Sequence, residues 1–74
     1  PGTFTMWKKK PIKVHKVQVR DISGKPPGYR AIIDGEPAIY TKNGVLILAE
    51  LQPSGKKRMA GKVFLNGAHD WNHN

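Results

Sequence analysis

Two short glycine turns, Asp34-Gly35 and Asn43-Gly44, sit nine residues apart in the middle of this chain of 74 residues, and they restrict its fold more than any other feature. Asp-Gly and Asn-Gly favour the positive-φ backbone of a two-residue hairpin, whose twist suits antiparallel strands. The flanking segments are what such turns join. Tyr29 to Ile33 leads into the first turn, Pro37 to Thr41 returns from it, and Val45 to Leu51 follows the second. Pro37 opens its strand, where a missing N–H is tolerated. Val45 to Leu51 is apolar on both faces until Glu50 and Gln52, as a central strand should be.

Upstream, Thr3 to Lys8 is rich in Thr, Phe and Trp and reads as a strand, with Lys9 and Lys10 before Pro11 as its turn. From Ile12 the apolar positions are Ile12 and Val14, then Val17 and Val19. A period-2 strand cannot slip by one residue and keep both pairs on one face, so the pattern predicts a β-bulge near His15-Lys16. Ser23 to Gly28 is a loop. Met59 to Leu65 is the helical candidate, with Met59 and Val63 four residues apart and Asn66-Gly67 as its stop. Its start is poor, because Ala60 offers no cap and Gly61 costs about 1 kcal/mol relative to Ala in a helix. The expected fold is all-β: a small OB-fold-like Greek-key barrel of about five or six strands with one short C-terminal helix. It takes in residues 1–67. Residues 68–74 are expected to form a disordered tail, since nothing in Ala68 to Asn74 suggests an apolar surface to order it.

Charge bears on function more directly. The formal net charge is +8, and it is unevenly placed. Residues 1–20 carry Lys8, Lys9, Lys10, Lys13, Lys16 and Arg20 with no acid, and residues 54–67 carry Lys56, Lys57, Arg58 and Lys62 with none. The stretch between them is near neutral. A basic domain of this kind favours polyanions, because each neutralised phosphate releases condensed counterions. A solubilising surface and an anionic membrane are the alternative readings. The absence of cysteine excludes disulfides, cysteine-based zinc sites and a thiol nucleophile. No apolar run approaches the roughly 20 residues needed to cross a bilayer, so no membrane partner is expected and the expected compartment is the cytoplasm.

Leu51-Gln52-Pro53-Ser54-Gly55-Lys56-Lys57-Arg58-Met59 joins the strand and charge readings. A strand runs into a Pro-Ser-Gly turn, and the turn presents three adjacent cations at a defined place, which suits a phosphate-bearing partner. Few other residues suggest chemistry. His15 lies among lysines and reads as structural or phosphate-proximal. His69, Asp70 and His73 have the spacing of metal ligands on a helix, but the tail gives them no scaffold, and no metal site is assigned. Trp7 and Tyr40 are candidates for base stacking, although each is more simply a core or rim residue. No catalytic constellation and no cofactor site is read in the chain.

The segment LQPSGKKRMAGKVFLNG resembles the end of the formyltransferase C-terminal domain family, as found in methionyl-tRNA formyltransferases. Pro1-Gly2-Thr3-Phe4-Thr5 resembles that family's approach to its first strand, and Pro11 to Val17 its basic second strand. Thr41 to Leu46 is similar to its Gly-Asp-Gly loop, here the more basic Lys42-Asn43-Gly44. A Ser and an acid that usually cap the family's final helix are replaced by Ala60 and Val63. The resemblance implies a non-catalytic domain that binds initiator tRNA and positions it for formyl transfer from 10-formyltetrahydrofolate by an N-terminal catalytic domain. The expected contacts are Lys8, Lys9, Lys10, Lys13 and Lys16 in one strip, Lys56, Lys57, Arg58 and Lys62 in a second, and Lys42 in the hairpin. The alternatives are an accessory domain of a sugar or folate formyltransferase, and a free-standing basic interaction module without RNA.

Overall fold

The computed structural model describes residues 3–74, so Pro1 and Gly2, which precede the first strand, lie outside the described residues. In chain order the elements are β1 (Thr3–Trp7), β2 (Lys10–Arg20), β3 (Arg30–Ile33), β4 (Glu36–Thr41), β5 (Gly44–Pro53), β6 (Met59–Ala60) and α1 (Gly61–Leu65). The chain is all-β and OB-like, as expected, but the sheet is not closed. Its antiparallel order is β1-β2-β5-β4-β3, with β6 also paired to β5. β5 changes neighbour along its length. It pairs with β4 as far as Ile47, then with β6 at Glu50 and Leu51.

The change of neighbour coincides with the predicted irregularity. Register shifts fall between Val14 and Lys16 and between Lys16 and Val17. Val14 pairs with Leu51 before the shift and Val17 with Leu48 after it, so both strands advance equally and the bend is shared. The bulge does not bury the second apolar pair, however. Val17 is 46% exposed and Val19 72%. They pair with Leu48 and Leu46, of which Leu48 is buried in the core and Leu46 half-buried.

Of three turns, one forms as the sequence predicts and two are shifted by one residue. Asp34 and Gly35 have φ of 53° and 77°, the expected hairpin conformation. The second hairpin turn is instead Lys42-Asn43, joining Thr41 to Gly44. Thr41 holds it: its Oγ1 accepts from the Asn43 N–H (3.2 Å) and donates to the Gly44 carbonyl (3.0 Å). Gly44 is needed for space, since a Cβ there would lie 2.5 Å from the Arg20 carbonyl oxygen. The β1–β2 turn is Lys8-Lys9, not Lys9-Lys10, because Trp7 pairs with Lys10. Both lysines sit at positive φ, 52° and 66°.

The C-terminal region departs furthest from expectation. Met59 and Ala60 pair with β5 as a short strand, and the helix begins only at Gly61. A Cβ on Gly61 would lie 2.2 Å from the Leu48 carbonyl oxygen and 2.8 Å from Pro37 Cδ, so the glycine lets the helix start lie directly on the sheet. Within residues 68–74, expected as a disordered tail, the structure places side chains against the sheet. Trp71 is fully buried at 0% exposure, and its indole N–H donates to the Ala31 carbonyl (3.0 Å). Asn74 brackets the Arg30 backbone, its side chain accepting from the N–H (2.6 Å) and donating to the C=O (2.9 Å). Trp7, Phe64 and Trp71 pack with ring centroids 5.5–5.7 Å apart. Burial of one indole contributes about 4–5 kcal/mol before entropy is subtracted, which is enough to order a short tail. Trp71 and Phe64 belong to the larger core cluster with Ile12, Val14, Leu48 and Leu51, while Ala38, Val45 and Ile47 form a smaller one.

Candidate nucleic-acid interface

β2 and β5 pair antiparallel along nearly their whole lengths, with Ile12 opposite Pro53 and Arg20 opposite Val45. The start of β2 and the end of β5 therefore share one end of the sheet. The Lys8-Lys9 turn and the turn after Pro53 both leave from that end, so the two acid-free blocks, far apart in sequence, meet there. They line a common hollow of about 350 Å³, whose wall includes Trp7, Lys8, Lys10, Pro53, Lys56 and Phe64. The floor is apolar and the rim cationic.

Gln52 fixes the second turn. The His15 Nε2–H donates to Gln52 Oε1 (3.0 Å), and Gln52 Nε2 donates to the Lys56 carbonyl (3.1 Å). The Lys56 N–H in turn donates to the Pro53 carbonyl (3.0 Å). These bonds set the backbone that carries Lys56 and Lys57, so the charge is held in place while the long side chains remain exposed. His15 is part of this support.

The three adjacent cations of residues 56–58 are not all unpaired. Arg58 forms a hydrogen-bonded ion pair with Glu50, and Lys16 lies 3.9 Å from the same carboxylate. Lys8 pairs with Asp70 and sits 4.8 Å from the centre of the Trp7 ring. The Arg58 hydrogen bond holds the Glu50 carboxyl below its usual range, against a smaller opposing effect of desolvation. The Lys8 hydrogen bond does the same to Asp70. Among the described residues, Lys9, Lys10, Lys13, Lys56 and Lys57 have no carboxylate partner. Lys42 stands at the opposite end of β5, beside Gly44, whose backbone abuts Arg20. Lys62 is exposed on α1 and does not line the hollow between the two turns. The structure thus brings together most of the expected cations and leaves Lys42 apart.

Trp7 and Tyr40, the two stacking candidates, both pack against other rings. Trp7 is half-buried against Phe64 and Trp71, and Tyr40 meets Tyr29 edge-on at 6.0 Å. In sequence, Gln52 and Glu50 carry no site signal and Asp70 only a metal-ligand spacing. Their partners His15, Lys16 and Lys8 are distant in sequence, and no local pattern announces these contacts.

The chain matches the family described as formyl transferase, C-terminal domain, over residues 1–69. It is 39% identical over 69 residues to the methionyl-tRNA formyltransferase of Carboxydothermus hydrogenoformans, covering 90% of this chain and 22% of that protein. It is 44% identical over 69 residues to the methionyl-tRNA formyltransferase of Lactobacillus delbrueckii subsp. bulgaricus, with the same coverage of 90% and 22%. A third, from Chloroflexus aurantiacus, is 32% identical over 74 residues, covering 93% of this chain and 23% of its own length. The chain spans between a fifth and a quarter of the length of these curated relatives. A six-stranded OB-like sheet closing on a short helix, with a match along nearly the whole sequence, makes this chain a member of the formyl transferase C-terminal domain family.

Proposed function

We propose that this domain holds the RNA substrate of a methionyl-tRNA formyltransferase, gripping the tRNA backbone so that its aminoacyl end reaches a separate N-terminal catalytic domain. The observation that carries this reading is the meeting of two acid-free basic blocks at one end of the sheet, around a shared hollow. Lys9, Lys10, Lys13, Lys56 and Lys57 are the primary phosphate contacts, with Lys8, Lys16 and Arg58 contributing when phosphate displaces their carboxylate partners. Lys62 and Lys42 are peripheral. Backbone contacts of this kind fix register and orientation without reading sequence. The domain supplies position, and formyl transfer takes place elsewhere in the enzyme, with no cofactor held here.

Replacing Lys56 and Lys57 together by Ser tests the reading. Affinity for tRNA is expected to fall about tenfold at moderate salt, with the salt slope shallower by about one for each phosphate that is no longer neutralised. A second reading, a protein interaction module, draws on the exposed Val17 and Val19. It predicts that the same double substitution leaves RNA affinity unchanged.

A further inference from the structure

Phe4 and Met6 are 58% and 59% exposed, the largest apolar side chains that β1 leaves in solvent. The strand alternates, so Thr5 and Trp7 turn toward the core while Phe4 and Met6 turn outward. Cross-strand pairing sets Phe4 beside Lys13, and Lys13 beside Gln52. Directly paired residues point to the same side of a sheet, so ring, ammonium and amide stand in a row on its outer face. Phe4 and Lys13 also share a hollow of about 290 Å³ with Gln52, Pro53, Ser54 and Gly55. Its far wall is the turn that carries Lys56 and Lys57. Gly55 adds no side chain, and nothing lies within 4 Å of where its Cβ would stand, so the hollow is open above the turn.

We propose that this hollow seats one unpaired RNA base, with the face of the Phe4 ring stacked on it and the Gln52 amide and the turn backbone at its edge. Lys13 on one side and the Lys56-Lys57 turn on the other take the phosphates of the same strand. The proposal rests on the RNA reading above and narrows it, because the exposed phenyl ring opens onto the same hollow as Lys13, Gln52 and the turn. The ring is bordered by an ammonium, an amide and turn backbone, a setting that suits a flat, polar-edged base. Duplex RNA keeps its base faces stacked and cannot use the seat. Stacking on an aromatic side chain tolerates any base, since every base has a π-face.

The test uses the protein and its Phe4→Ala and Phe4→Trp variants, with a labelled single-stranded oligouridylate and a blunt RNA duplex of equal phosphate count, at one fixed salt concentration. Phe4→Ala is expected to weaken single-strand binding about tenfold and leave duplex binding unchanged, and Phe4→Trp to restore the single-strand affinity. The thermal midpoint of each variant shows that the fold is intact, and the exposure of Phe4 predicts little change. Equal losses on both RNAs, or no loss on either, would overturn the seat while leaving phosphate binding in place. If the unaltered protein binds neither RNA, the RNA reading itself fails, and the seat with it.

Discussion

Gly61 shows how one residue can oppose its own propensity for a structural reason. Replacing a helix glycine by alanine ordinarily stabilises, by up to about 1 kcal/mol. Here the new methyl group would meet the Leu48 carbonyl oxygen and the Pro37 ring, neither of which can swing aside. Gly61→Ala is therefore expected to destabilise by about 1–3 kcal/mol in a denaturant titration, with a gain in stability as the contrary result. Lys9 presents the opposite case. Its φ of 66° is uncommon for a residue with a Cβ, and asparagine tolerates that region better. Lys9→Asn is expected to raise stability by about 0.5–1 kcal/mol, or a few degrees in thermal midpoint, while weakening RNA binding. The turn thus keeps a cation at some cost in backbone energy. Glu50 is expected to act on affinity in the other direction, because it occupies Arg58 and Lys16. Its lowered pKa means that the ion pair contributes stability at neutral pH and loses it as pH falls through and below the usual carboxylate range. Glu50→Gln is expected to flatten that acid limb and to tighten RNA binding a few-fold at low salt, as two cations become free.

The elements were legible in the sequence wherever the cause was local. Asp34-Gly35 announced its hairpin, and the slip between Val14 and Val17 announced the bulge, because a turn dipeptide and a period-2 pattern act within a few residues. Other positions depend on a distant partner. Gly44 was readable as a turn glycine, yet its role is clearance from the Arg20 carbonyl oxygen, which moves the turn back to Lys42-Asn43. Pro11 marked a turn one residue late, and Lys8-Lys9 takes its place from the register of β1 on β2. The tail was least legible. Trp71 sits alone among polar residues without periodicity, and only Ile12, Leu51, Phe64 and Trp7 arriving from elsewhere give it a core to enter. Trp71→Ala should cost about 3–5 kcal/mol, seen as a collapse of the thermal midpoint, whereas a disordered tail would show no change.

At the scale of the whole molecule, the two basic blocks gain their meaning from the β2–β5 pairing. Composition gave a strongly basic chain, and the candidate contacts could be named in sequence, but their convergence on one end required the register. The same register separates Lys42 from the rest, and the carboxylates of Glu50 and Asp70 show which cations are already engaged. The proposed role requires that this end of the sheet bind an RNA backbone electrostatically. The most direct measurement is tRNA affinity across a salt series, for the protein and for its Lys56→Ser/Lys57→Ser variant. A straight fall of log K against log salt is predicted, with a slope of about −0.7 to −0.9 per phosphate contacted, and a shallower slope in the variant. A flat profile, or identical slopes for the two proteins, would rule out electrostatic RNA binding at this end.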